Sequence, residues 1–193
     1  MKIEEIKKDA ENEHIPIMLD GGLQFLLDFI KEKDLKDILV LGTAVGYSAI
    51  NMALLDKAIH VDTIEKDKER YLKAKENIQK ARLESQITAY YGVIEEFAIN
   101  KKYDLIFVDA AKAQYQRYME RFLDNLKMTG YMIFDNMNFH GMVKDPSLTH
   151  NRNTKMLVKK IASFQHFVQE DERFDIILKE DIGDGILILR RKK

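Results

Sequence analysis

The chain has 193 residues, 46% of them hydrophobic and 33% charged, and its 31 Lys plus Arg against 32 Asp plus Glu give a formal net charge of -1. That is the size of one domain spanning 1–193 with enough apolar content to bury a core, and it excludes both a disordered chain and a globally basic nucleic-acid binder. The lack of cysteine excludes a disulfide scaffold, a thiolate metal site, an iron-sulfur cluster and a cysteine nucleophile.

Met1 to Glu13 mixes Lys and Glu densely and has no apolar stretch of signal-peptide type, so a cytoplasmic setting is expected. Leu19, Leu23, Leu26, Leu27 and Ile30 recur at helical spacing, and Ile38 to Leu41 is a short buried-strand block stopped by Gly42. The uncharged run from Ile38 to Leu55 is broken by Gly42, Thr43, Gly46, Ser48 and Asn51, which predicts strand, glycine turn and helix rather than a membrane span. Ile59 to Ile64 is a second strand ending at Glu65, and Tyr71, Ala74, Ile78 and Ala81 mark one face of the next helix.

A strand at Ile87 to Tyr91 and a short helix near Glu95 precede the run Leu105 to Val108, which Asp109 halts. Tyr115, Tyr118, Met119, Phe122 and Leu126 predict a helix, and Tyr131 to Phe134 a strand stopping at Asp135. His140 to Asn153 has no apolar period and reads as a surface loop, as do the surroundings of Pro16 and Pro146. A helix from about Thr154 to Val168 leads to strands at Phe174 to Leu178 and Ile186 to Leu189, joined through the hairpin signal Gly183-Asp184-Gly185. The alternation predicts an α/β, doubly wound, Rossmann-like and mostly parallel seven-stranded sheet with a C-terminal antiparallel hairpin strand.

Such sheets bind ligands beyond the carboxyl ends of their strands. Gly42-Thr43-Ala44-Val45-Gly46 follows the first strand, and Glu65 ends the second, where a carboxylate matches the two hydroxyls of a ribose. The spacing is not the G-x-G-x-x-G of a nicotinamide dehydrogenase, and taken alone it also suits an ordinary tight turn.

Val40-Leu41-Gly42-Thr43-Ala44-Val45-Gly46-Tyr47-Ser48-Ala49, Ile64-Glu65-Lys66, Phe107-Val108-Asp109-Ala110-Ala111-Lys112 and Phe134-Asp135-Asn136 together resemble the class I S-adenosylmethionine-dependent O-methyltransferases of the catechol and caffeoyl-CoA type. Within them the chain is most similar to the bacterial tRNA 5-hydroxyuridine methyltransferases, which share His14-Ile15-Pro16-Ile17-Met18 and Ala113-Gln114-Tyr115-Gln116. The resemblance runs from about Asn12 to the C-terminus. It implies S-adenosylmethionine held by Met18, Gly42, Ser48, Glu65, the Gly92-Val93 turn and Asp109. The chain departs from the family at Val40, where an acid is usual, and at Val93, where Asp is usual; these departures leave a non-catalytic cofactor-binding module as a reading of another class. Relatives are commonly dimers, so the resemblance also implies a homodimer.

Asp109 and Asp135-Asn136 end neighbouring parallel strands, which lie about 4.8 Å apart, so their oxygens can converge on a hard divalent ion, magnesium with manganese as a substitute. Spacing alone supports helix N-capping equally well, and the resemblance favours the metal. A chelated acceptor hydroxyl ionises more readily, and Lys112, near Asp109, can take its proton or orient it as a cation; a lysine is ordinarily protonated at neutral pH, which favours the second role.

The acceptor implied by the resemblance is 5-hydroxyuridine at the anticodon wobble position of tRNA, converted to 5-methoxyuridine, with a small catechol-like or phenolic acceptor as the alternative. Arg152, Lys155 and Lys159 form a row beside Lys144 and Lys160, and Arg190-Arg191-Lys192-Lys193 adds charge, which suits tRNA phosphates. A plain solvated face opposite Leu157, Val158, Ile161, Phe164 and Val168 is the competing reading. His140 is placed at the acceptor pocket but outside the catalytic set, Tyr115 and Tyr118 in the helix core, and His14 in a structural role.

Overall fold

The apolar blocks become one seven-stranded sheet in the computed structural model, which describes residues 3–192. Met1, Lys2 and Lys193, at the tips of the charged N-terminal stretch and the basic C-terminus, lie outside the described residues. The strands are β1 (Asp37–Leu41), β2 (His60–Glu65), β3 (Ile87–Tyr91), β4 (Tyr103–Val108), β5 (Leu126–Phe134), β6 (Phe174–Lys179) and β7 (Ile186–Arg191), in the order β3-β2-β1-β4-β5-β7-β6. β7 alone runs against its neighbours, between β5 and β6.

Helices cover both faces, which is why β1 and β4 are apolar on consecutive residues instead of alternating. Ile38 and Val40 of β1 face a layer made by α1 (Ile3–Asn12), α2 (Asp20–Glu32), α3 (Tyr47–Ala53) and α4 (Lys68–Ala81). Leu39 and Leu41 face the opposite layer, made by α5 (Tyr115–Phe122) and α6 (Arg152–Gln169). Polar groups inside β2 are satisfied: Asp62 accepts from the Tyr103 hydroxyl at 2.9 Å and from Lys101 Nζ at 3.0 Å, and the Thr63 hydroxyl bonds that of Thr43 at 2.7 Å. Strand order reverses between β1 and β4, so the crevice of the sheet opens at their carboxyl ends. No helix among the described residues is long and apolar enough to cross a membrane.

Four local features differ from the sequence reading or are missing from it. Near Glu95 there is a single turn closed by Phe97 N–H on the Val93 carbonyl, too short to propagate as a helix. Leu126 is not on the preceding helix but opens β5, paired with Tyr103 and fully buried, so its helical spacing from Phe122 is a coincidence of two adjacent elements. α6 starts at Arg152 because the Asn151 side chain caps the Thr154 N–H at 3.1 Å, and Pro146 opens a 3-10 turn, Pro146–Leu148, within the loop.

The fourth difference is α1, hidden in a stretch whose charge density masks two apolar positions. Ile6 and Ala10 are buried, α1 packs on α3, and Lys7 pairs with Asp20 at the head of α2. Deleting the Ile6 side chain to Ala is expected to cost about 2–4 kcal/mol in urea unfolding, against less than about 0.5 kcal/mol for the exposed Glu4→Ala. Equal effects of the two changes would show that α1 is not part of the folded core.

Candidate active site

At the switch point the strand ends frame a cleft of about 1060 Å³. Met18, Gly42, Ser48, Glu65, Val93, Asp109, Lys112, Asp135 and Asn136 all line it. Gly92 does not; it donates its N–H to the Glu65 carbonyl at 2.9 Å and leaves the wall to Val93. Val40 does not line it either, being 1% exposed in the core, so β1 offers no carboxylate to the cleft.

On one side the geometry suits an adenosyl group. Gly42 sits at φ +102°, and a Cβ added there would lie 2.3 Å from the Asp109 carbonyl oxygen, so only glycine lets the β1 and β4 ends close up. Gly46, at φ +84°, turns the chain into α3, whose second residue is Ser48. Glu65 is buried, and its two carboxylate oxygens accept from the N–H groups of Ala44 at 2.8 Å and Asp67 at 2.9 Å. These bonds hold the carboxylate plane still, and each oxygen keeps a second lone pair for a hydroxyl. Ile64 and Val93 add apolar wall, and Pro16 to Leu19, a strap between α1 and α2, form another side.

On the other side the structure collects carboxylates. Val108 pairs with Phe134, so Asp109 and Asp135 follow in register at the ends of β4 and β5. Burial pushes Asp135 up to about 7, helped by the negative charge of Asp109. Asp109 is likewise raised by burial, against the pull of Lys112, whose Nζ lies 3.8 Å from its Oδ1. Asn136 follows at φ +58°, and its N–H donates to Asp135 Oδ1 at 2.7 Å.

Among the described residues no three His, Asp or Glu side chains gather as a metal cluster, so a candidate cation set here consists of two carboxylates and one amide. Two partly desolvated acids, the second raised further by the charge of the first, fit a divalent ion, which would relieve burial and repulsion together.

Phe139 and His140 line the cleft after Asn136, while Arg117 and Tyr118 line it too, the Tyr118 hydroxyl reaching Glu95 Oε1 at 3.3 Å beyond the Val93 turn. His140 is an exposed loop residue whose ring reaches the cleft wall, while Tyr115 and Tyr118 are buried core residues; the Tyr115 hydroxyl donates to the Asp135 carbonyl at 2.9 Å. His14 is exposed, at φ +54°. Sequence reasoning missed Asp184, which is buried against Asn136 and His140, because a Gly-Asp-Gly triplet reads as turn chemistry whatever its side chain touches.

Arg152, Lys155, Lys159 and Lys160 are exposed on α6, which packs against the 3-10 turn Lys112–Gln114. None of the four has an ion pair among the described residues. Lys144 instead pairs with Glu180 at 2.8 Å, and β7 carries Arg190 away from the carboxyl end of β5, to a position beside Tyr131.

The model of the O-methyltransferase family matches residues 2–192. A caffeoyl-CoA O-methyltransferase of Populus kitakamiensis is 30% identical over 194 residues, covering 96% of this chain and 82% of the relative. That of Medicago sativa is 31% identical over 88% of this chain and 72% of its own. Among solved structures, a Staphylococcus aureus protein provisionally named a caffeoyl-CoA O-methyltransferase superposes with a TM-score of 0.94 at 32% identity, over 99% of this chain and 92% of that one. The O-methyltransferase from Bacillus cereus in complex with SAH shares the fold, with a TM-score of 0.84 at 22% identity over 98% of this chain and 90% of that one.

The raised Asp135 carries a pH dependence. Between an ordinary carboxylate pKa and about 7 the folded chain keeps a proton that the unfolded chain releases, so stability falls as pH rises through that window and levels off above it. Chelator-treated protein should lose stability, on the order of 4 kcal/mol, from pH 4 to pH 7 in urea titrations, and Asp135→Asn should flatten that slope. Identical slopes in the two proteins would show that Asp135 is not held in its protonated form.

Proposed function

The chain belongs to the O-methyltransferase family, and from that premise we propose that it transfers the methyl group of S-adenosylmethionine to the 5-hydroxyl of 5-hydroxyuridine in tRNA, with magnesium at Asp109, Asp135 and Asn136. The observation that carries the oxygen chemistry is the pair of carboxylates raised by burial, Asp135 further by the charge of Asp109, beside a cleft sized for a nucleoside cofactor. A divalent ion bound to their oxygens and to the Asn136 amide oxygen supplies the positive charge that favours the acceptor in its ionised form.

The protein's own groups do the rest. Glu65, fixed by two backbone N–H groups, takes the ribose hydroxyls and so places the sulfonium relative to Asp109. Lys112, which lines the cleft with its Nζ 3.8 Å from Asp109 Oδ1, orients the acceptor oxygen. In the reaction an oxygen lone pair forms the O–CH3 bond as the C–S bond breaks. The electron pair goes to sulfur, leaving a neutral thioether, and the hydroxyl proton is released. Opposite charges meet and cancel, so alignment of oxygen, carbon and sulfur carries the rate, and no covalent enzyme intermediate is required.

Support for tRNA comes from the row Arg152, Lys155 and Lys159, exposed and without ion pairs among the described residues, on a helix packed against the turn that carries Lys112. An anticodon loop offers phosphates to such a row and an unstacked base to the cleft. The named plant relatives favour a second reading, a small phenolic acceptor with two adjacent oxygens, which the same donor set would accept.

Incubation of the purified chain with labelled S-adenosylmethionine, magnesium and tRNA bearing 5-hydroxyuridine should yield 5-methoxyuridine, seen by nucleoside mass spectrometry and lost on chelation. Equal labelling of tRNA lacking the hydroxyl, or turnover only on a catechol, would reject the tRNA reading, and cofactor binding without turnover on either would leave a binding module. Arg152→Ala with Lys155→Ala should weaken tRNA binding and lower the log-log salt slope by about 0.7–0.9 for each phosphate no longer neutralised, while leaving a phenolic acceptor unaffected.

A further inference from the structure

The Gly183-Asp184-Gly185 turn lies between β6 and β7, yet its aspartate is turned inward. Asp184 is 7% exposed. Its Oδ2 accepts from the Asn136 side-chain amide, Nδ2, at 3.3 Å, and its Oδ1 accepts the His140 N–H at 2.7 Å. No lysine or arginine pairs with it among the described residues.

We infer that Asp184 is a positioning residue that decides which end of the Asn136 amide faces the cleft. This role rests on the metal reading of Asp109, Asp135 and Asn136. An asparagine amide has an accepting oxygen and a donating nitrogen of nearly the same size, and only the oxygen can bind a cation. An ionised carboxylate is acceptor-only, so it can face only the nitrogen. With Nδ2 held by Asp184, Oδ1 is the corner left over. It receives no hydrogen bond among the described residues, on a side chain that lines the cleft.

The turn is braced for this task. Asn138 N–H donates to the Asp184 carbonyl at 2.8 Å, and Met137 N–H to that of Gly185 at 2.9 Å. Gly183, at φ +57°, packs on the head of α2, where an added Cβ would lie 3.2 Å from Gly22 Cα. Gly185, at φ +84°, leaves 2.8 Å between such a Cβ and the Asn138 nitrogen. Side chains at either position would push the turn off the residues that follow β5.

Stability alone gives no reason for an acid here. A neutral residue would close the hairpin without placing another buried carboxylate near Asp135, and Asp184 adds to the repulsion felt by Asp135. What the carboxylate supplies, and an amide would not, is a one-way choice of partner. Through Oδ1 it also ties the His140 backbone, on the acceptor wall, to the same anchor.

Direct Mn2+ titration of the purified full chain, by electron paramagnetic resonance of the free ion, tests the role without turnover. Asp184→Asn keeps the shape but can present its own nitrogen, and should weaken Mn2+ binding about 10- to 100-fold while S-adenosylhomocysteine binding stays unchanged. Exchanging the pair, Asn136→Asp with Asp184→Asn, restores a donor against an acceptor with a carboxylate toward the cleft, and should recover Mn2+ binding. Unchanged Mn2+ affinity in Asp184→Asn overturns the inference and leaves the metal reading standing. If Asp184→Asn does not fold, the exchanged pair decides: a folded protein that binds Mn2+ supports the role, and a folded protein that does not, or failure of the exchanged pair to fold, overturns it. No Mn2+ uptake by the unaltered chain removes the metal reading and this role together.

Discussion

Two carboxylates at the ends of adjacent strands, one buried and the other partly so, set the terms for the rest of this molecule. Burial raises Asp109 and Asp135 alike, and the charge of the first adds to the second. Left to themselves such groups take up protons or move apart. Here the register of β4 on β5 prevents the movement, and the Tyr115 hydroxyl on the Asp135 carbonyl pins the strand end from beneath. The large double-layered core sustains a local arrangement that costs stability, as binding and catalytic sites commonly require.

The cofactor side follows the opposite logic. The glycines at 42 and 46 and the held carboxylate of Glu65 form a shape fixed before any ligand arrives. A rigid anion for a ribose at one end and an acidic pocket at the other suit a cationic sulfonium between them. Preorganisation of this kind spares the ordering that binding would otherwise impose.

Much of this was legible in the sequence because it depends on punctuation. Four of the parallel strands stop at a visible break in an apolar run: Gly42, the Gly92 turn, Asp109 and Asp135. The same breaks mark the ligand edge of a parallel sheet, so fold and site were read from one signal. What escaped had no such mark. The apolar side of α1 consists of few positions among dense charge, and Leu126 keeps helical phase with Phe122 although a 3-10 turn intervenes. Asp184 sits in a turn whose local chemistry explains every residue, and only the approach of the β6–β7 connection to Asn136, 48 residues away, gives its carboxylate a partner. The charge of the Arg190 end could be read from composition, but its place could not: strand direction carries Arg190 away from the carboxyl end of β5.

The central claim is that Asp109, Asp135 and Asn136 share one cation beside the adenosyl pocket. Anomalous diffraction from a crystal grown with Mn2+ and S-adenosylhomocysteine tests it most directly. The account predicts a single strong peak bonded to an oxygen of each of the three side chains. A peak absent from that position, or an Asn136 amide turned with its nitrogen toward the ion, would contradict it.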